Sequence, residues 1–179
     1  MKILLIILSV IAVLVVLFFI VALFTKKGYT VQRTIIINKA VPEVFNYIRH
    51  LKNQDHFSKW VMTDPNMKKD FRGTDGTPGF VYAWDGNKKA GKGEQEIIKI
   101  TEGQRLDLEV RFVRPFAAVA QTPFTTESLA GNQTKLTWGM TSQMKYPMNF
   151  MLAVMDMDKL LGKDLETSLA NLKGILEKN

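Results

Sequence analysis

The chain begins with an uninterrupted apolar run. Residues 3–24 carry no charge, and Ser9 is the only polar side chain among them. At a rise of about 1.5 Å per residue, a helix of roughly 20 apolar residues crosses the hydrocarbon core of a bilayer. Lysines flank the run on both sides, as is typical of membrane interfaces. The pattern predicts a transmembrane anchor over residues 1–25 and a linker over residues 26–28.

A cleaved secretory signal is the competing interpretation of this run. Signals have an apolar region of about 7–15 residues that ends at a small-residue cleavage site. This run has 22 residues, and residues 21–24 offer no such site, so we expect an uncleaved anchor. Four lysines and arginines lie within 15 residues after the run and one lysine precedes it. The positive-inside rule therefore predicts that the rest of the chain is cytoplasmic.

After the linker, the pattern changes to that of a folded domain over residues 29–179. Residues 29–38 are rich in β-branched and aromatic side chains and predict a strand. Pro42 suits the first turn of a helix, and apolar residues at helical spacing follow it. A second short helix is expected to end near Trp60. One or two helices therefore follow the first strand.

The middle of the chain alternates apolar and polar residues, which predicts antiparallel strands with one buried face. Residues 105–114 alternate most regularly. A hairpin turn is predicted at residues 85–87, Asp-Gly-Asn, and another turn at residues 130–132. The predicted strands cover residues 80–84, 93–101, 105–114, 119–129 and 133–144.

The last segment predicts a long helix. Pro147 opens it, and apolar residues recur at helical spacing from there to residue 176. Gly162 is expected to bend or interrupt this helix. Its apolar stripe must be buried against the sheet, so the sequence predicts an α+β domain with a curved antiparallel sheet of about six to seven strands and a long C-terminal helix.

This order resembles the START-like (SRPBCC) superfamily, and especially its polyketide cyclase/dehydrase-like branch. The residues that carry the resemblance are residues 33–38, 42–48 and 166–173 together with Trp60. The resemblance implies the helix-grip fold, in which the sheet grips the C-terminal helix and an apolar cavity lies between them. Members bind lipids, sterols, polyketides and plant hormones there, and a minority catalyse cyclisation. The membrane anchor is not implied by the resemblance.

The amino-acid composition excludes several kinds of functional site. The 179 residues include no cysteine, which excludes disulfides, thiolate metal sites and thiol nucleophiles, and only two histidines, so no metal or cofactor site is expected. The net charge is +7, but the basic residues are scattered and form no helical stripe. A solvated surface beside an anionic leaflet explains this charge better than nucleic-acid binding.

Aromatic and methionine side chains are the most informative candidates for a site. They are predicted to face the space between sheet and helix, where such residues adapt to apolar ligands. This predicted ligand-binding set is Trp60, Tyr82, Trp84, Phe112, Trp138, Met140, Phe150, Met151 and Met155. The candidate polar groups of the same site are Tyr82, Gln121, Ser142 and Asn149.

Three functions remain open at this point. The first is a membrane-anchored binding protein for a hydrophobic small molecule. The second is a cyclase- or dehydratase-type enzyme, in which Glu94, facing inward with a raised pKa, or His56 moves a proton. The third is an interaction module whose core is filled by its own side chains.

Overall fold

The computed structural model describes residues 1–178, so Asn179, the last residue of the predicted domain, lies outside the described part. Its helices are α1 (Lys2–Phe24), α2 (Val41–Arg49), α3 (Gln54–Phe57), α4 (Met151–Val154) and α5 (Met157–Leu176). Its strands are β1 (Gly28–Ile37), β2 (Lys68–Arg72), β3 (Val81–Asp85), β4 (Lys92–Thr101), β5 (Arg105–Arg114), β6 (Ala118–Gln121), β7 (Phe124–Leu129) and β8 (Gln133–Gln143).

All eight strands belong to one antiparallel sheet with the order β1-β8-β6-β5-β4-β3-β2. β7 pairs with β5 and β8, so β6 and β7 continue one another along the same position of the sheet. α5 packs against the inner face of β1 and against α3. The predicted α+β architecture, a sheet wrapped on a C-terminal helix, is confirmed.

The strand count exceeds the expected six to seven for two local reasons. β2 was not predicted because its sequence, Lys-Lys-Asp-Phe-Arg, lacks apolar alternation; four of its five residues are exposed at the sheet edge. The expected strand 119–129 is divided because Pro123 has no N–H for the ladder. The hairpin turn predicted at residues 85–87 is also longer than expected. Residues 86–91 connect β3 to β4, and the positive φ occurs at Gly91.

The C-terminal helix is interrupted at a different place from the one expected. Met155 and Asp156 have extended backbone angles between α4 and α5, and the Asp156 carboxylate accepts a hydrogen bond from Lys159 N at 3.0 Å. Gly162 lies inside the continuous helix α5. The Arg33 guanidinium lies against it, so close that an added Cβ would be 2.0 Å from Nη2. Gly162 therefore permits close packing, and the prediction of a bend there was wrong.

Helix α1 projects from the domain, and none of its most apolar 18-residue window is buried. By length and composition it could cross a membrane, criteria that a signal sequence also meets. Only its last turns contact the domain. Phe18 packs against Phe150 with ring centroids 4.7 Å apart, and Asn149 Nδ2 donates to Ala22 O at 2.6 Å and Thr25 O at 3.0 Å.

Candidate ligand-binding cavity

A cavity of about 260 Å³ lies between the inner face of the sheet and the helices. Its wall combines residues from β3, β4, β5 and β8 with residues around α3 and the first turns of α5. The apolar majority consists of Tyr29, Trp60, Val61, Met67, Tyr82, Trp84, Ala90, Val110, Phe112, Pro115, Trp138, Met140 and Leu161. Ligand pockets typically have this composition, with few polar groups among apolar ones.

Strand periodicity explains why the large side chains meet here. Val110 and Phe112 are two residues apart on β5 and therefore point to the same face, as do Trp138 and Met140 on β8. Trp138 stacks on Phe124 with centroids 4.5 Å apart and meets Trp60 edge to face at 5.5 Å. These contacts fix Trp138 as one wall of the cavity.

Six residues of the predicted ligand-binding set line this cavity: Trp60, Tyr82, Trp84, Phe112, Trp138 and Met140. The other three, Phe150, Met151 and Met155, do not line it. Their prediction assumed one continuous helix from Pro147 onwards. The helix is interrupted at Met155 and Asp156, and the residues up to this interruption do not line the cavity. Phe150 instead packs on α1.

Of the predicted polar groups, only Tyr82 lines the cavity. Gln121 is exposed and donates to Glu109, and Ser142 donates to Val119 O at 2.6 Å. Asn149 is buried beneath the end of α1.

Four uncharged polar groups that line the wall were not predicted from the sequence: Gln54, Ser58, Gln95 and Thr122. The signal for one of them was present, because Gln95 alternates in phase with the buried residues Gly93 and Ile97. Its amide donates to Thr122 Oγ1 at 3.3 Å.

The phenol of Tyr82 is held in its neutral form. Its hydroxyl donates to Asp55 Oδ1 at 2.7 Å, while Lys69 Nζ pairs with Asp55 Oδ2 at 2.7 Å. Burial, followed by the neighbouring Asp55 carboxylate, raises the pKa of Tyr82 well above its ordinary range. At neutral pH the hydroxyl therefore keeps its proton and its hydrogen bond to Asp55, which fixes the Tyr82 side chain in the cavity wall.

The two candidate proton-transfer residues lie away from the cavity. His56 is exposed on α3. Glu94 faces the outer side of the sheet, where Arg111 Nε donates to it at 2.9 Å and Arg72 also pairs with it. The hydrogen bond from Arg111 lowers the pKa of Glu94 below its ordinary value, so the condition under which Glu94 would act as a base, an inward carboxyl with a raised pKa, is not met. Among the residues described, the cavity wall includes no carboxylate and no imidazole.

The exposed part of the wall lies at one end of the sheet. Lys89 belongs to the loop between β3 and β4, and Arg114 and Pro115 lie where β5 ends. Asn87 Oδ1 accepts hydrogen bonds from Lys89 N and Ala90 N, which shapes the first of these segments. The cavity opens between them, opposite the end of the sheet that α2 covers.

The architecture and the cavity together define a helix-grip fold, and comparison with solved structures supports this assignment. The structure resembles norcoclaurine synthase from Thalictrum flavum with a TM-score of 0.62 and 7% identity, covering 89% of this chain and 92% of that one. It resembles the di-domain ARO/CYC StfQ from the steffimycin biosynthetic pathway with a TM-score of 0.61 and 12% identity, over 85% and 51% of the two chains.

A third similar structure is Ara h 8.0201, with a TM-score of 0.58 and 14% identity over 85% of this chain and 99% of that one. At these identities the likeness concerns the fold. No protein-family model matches the sequence, and no curated protein matches it.

Proposed function

We propose that this protein is a membrane-anchored binding protein for a hydrophobic small molecule of the lipid, isoprenoid or polyketide-like class. The observation that carries the proposal is the 260 Å³ cavity with its aromatic and thioether wall. Burial of apolar ligand surface at roughly 25 cal/mol per Å² supplies the driving force for binding. The polar residues of the cavity wall, among them Tyr82 and Gln95, orient the ligand.

The anchor is the second part of the proposal. Helix α1 is about 35 Å long at 1.5 Å per residue, which suffices for a bilayer core of about 30 Å. Asn149 bonds two backbone carbonyls at its C-terminal end, Ala22 O and Thr25 O, so this end is integrated into the domain fold. That integration supports an uncleaved helix, and the excess of basic residues after it supports a cytoplasmic domain.

Binding is better supported than the two alternatives. The cyclase or dehydratase alternative needs a group that exchanges a proton near neutral pH, whereas Tyr82 holds its proton and both Glu94 and His56 lie outside the cavity. The filled-core alternative needs side chains that occupy the space between the sheet and α5, where the cavity lies.

Native mass spectrometry of the full chain, released from nanodiscs made with membranes of the producing cell, tests both parts. We expect the intact mass of the uncleaved chain and a reproducible small-molecule adduct. A protein that stays free of adduct after exposure to the cell's total lipid extract contradicts ligand binding. A mature N-terminus near Thr25 contradicts the anchor.

A further inference from the structure

The cavity opens at the end of the sheet from which α1 extends. β1 begins at Gly28, directly after α1, and Gly28 pairs with Gln143 at the end of β8. β6 also begins at this end, because its Ala120 pairs with Ser142. The loops 86–91 and 115–117, which carry the exposed part of the cavity wall, therefore lie at the same end as the helix.

Large apolar side chains are concentrated around this opening. Among the described residues that follow α1, twelve large hydrophobic residues are exposed, and six of them lie in the β5–β6 loop and in the segment 146–160 that follows β8. Soluble proteins rarely leave such a group uncovered without a contact to make. We call this group the rim; its members are Phe116, Tyr146, Met148, Val154, Met155 and Leu160.

The length of α1 determines where the rim lies relative to the membrane surface. The apolar run of residues 3–24 is about 33 Å long, only slightly more than the bilayer core of about 30 Å, so nearly all of it is needed to span. The domain packs on the last turns of this run, through Phe18 with Phe150 and Phe19 with Tyr146. A domain held there has its rim at the membrane surface.

The charges at this end match an anionic surface. Asp85 is paired with Lys92 and Arg114, and Asp156 caps α5. By contrast, five exposed lysines in the segments at this end, Lys88 among them, form no ion pair with any described residue, and lysines attract anionic headgroups. They are Lys26, Lys27, Lys88, Lys89 and Lys145.

We infer that the rim inserts into the headgroup region of an anionic bilayer, so that the cavity opens directly onto lipid. A ligand dissolved in the bilayer then enters the cavity without crossing water. This inference rests on the proposed function and names the source of its ligand, the lipid phase of the membrane that holds α1.

The absence of cysteine makes a direct test possible, because each introduced cysteine carries a unique spin label. Phe116→Cys and Val154→Cys report on the rim, where the side chains are 62% and 65% exposed. Ile98→Cys, also an exposed apolar position, and Ala130→Cys, in the turn at the opposite end of the sheet, are the controls. The full chain is placed in nanodiscs of phosphatidylcholine and phosphatidylglycerol.

Collision rates with oxygen, which concentrates in lipid, and with a water-soluble nickel chelate then measure membrane contact. We expect the oxygen-to-nickel ratio at residues 116 and 154 to exceed the ratio at residues 98 and 130 at least fivefold. Equal ratios at all four positions overturn the inference. Contact of the rim with lipid but no adduct in native mass spectrometry defeats the proposed function alone, while an adduct with a water-exposed rim defeats this inference alone.

Discussion

Filling the cavity from within is the most direct test of its role. Val110 is 5% exposed and points into the cavity from β5. Val110→Phe adds a ring where the structure has empty space, so we expect the free energy of unfolding without ligand to change by less than about 1 kcal/mol. In a filled core, the same overpacking costs typically 1–3 kcal/mol or more. The new ring occupies the space that the ligand needs.

The stabilisation by ligand that Val110→Phe should lose follows from the linkage between binding and folding. A ligand at a hundred times its Kd stabilises the folded chain by about 2.7 kcal/mol, which raises the melting temperature of a chain of this size by roughly 5–10 °C. All three tryptophans line the cavity, so their fluorescence reports the unfolding of this domain. We expect total lipid extract to produce this shift in the wild-type chain and none in Val110→Phe.

Val113→Phe is the matched control. Val113 lies on the same strand but on the outer face, where it is 56% exposed, so the added ring leaves the cavity unchanged. This variant should keep both the thermal shift and the adduct. If Val110→Phe also keeps them, the ligand binds elsewhere. If Val110→Phe is destabilised by about 3 kcal/mol without ligand, the cavity is already filled.

Contacts outside the cavity give three further expectations. Gly162→Ala should raise the melting temperature by roughly 2–4 °C in an Arg33→Ala background, because alanine favours helix by about 1 kcal/mol, but not in the wild type, where the guanidinium occupies that space. Arg111→Met should lower the free energy of unfolding by about 1 kcal/mol at pH 7. Its hydrogen bonds lower the pKa of Glu94 and Glu109, so their stabilisation is present above pH 4.5; in melts from pH 7 to pH 3 the deficit should shrink as the pH falls below that value. Asn149→Ala should speed tryptic cleavage after the lysines that follow α1 by roughly thirtyfold, because two hydrogen bonds of about 1 kcal/mol each are lost.

The sequence predicted those elements whose periodicity depends on burial. β5 has the predicted bounds because Leu106, Leu108 and Val110 alternate with polar residues on a half-buried strand. β2 escaped prediction because it is an edge strand stabilised by backbone pairing with β3 and carries no apolar face. The interruption of the C-terminal helix was not predicted because the apolar periodicity continues on both sides of Asp156, whose side chain caps α5.

The cavity itself depends on how side chains meet, which periodicity does not determine. The sequence pattern predicts that the tryptophans face inward, but whether their rings fill the space or border it depends on contacts between elements. Trp138 borders it, because Phe124 stacks on one face of its ring and Trp60 meets it at 84°. Gln95 and Thr122 likewise bond each other across neighbouring strands.

These contacts also decide which residue tests binding. Trp138 is the obvious choice from the sequence, but it is 2% exposed and its ring supports Phe57, Phe124 and Trp60. Trp138→Ala therefore costs roughly 3–5 kcal/mol of stability, a large part of the roughly 5–15 kcal/mol that domains commonly have, so a loss of ligand in that variant does not distinguish a lost binding contact from unfolding. A loss of adduct in that variant with an unchanged melting temperature would contradict this packing. The Val110→Phe substitution instead reduces the volume of the cavity and leaves the side chains that Trp138 contacts in place.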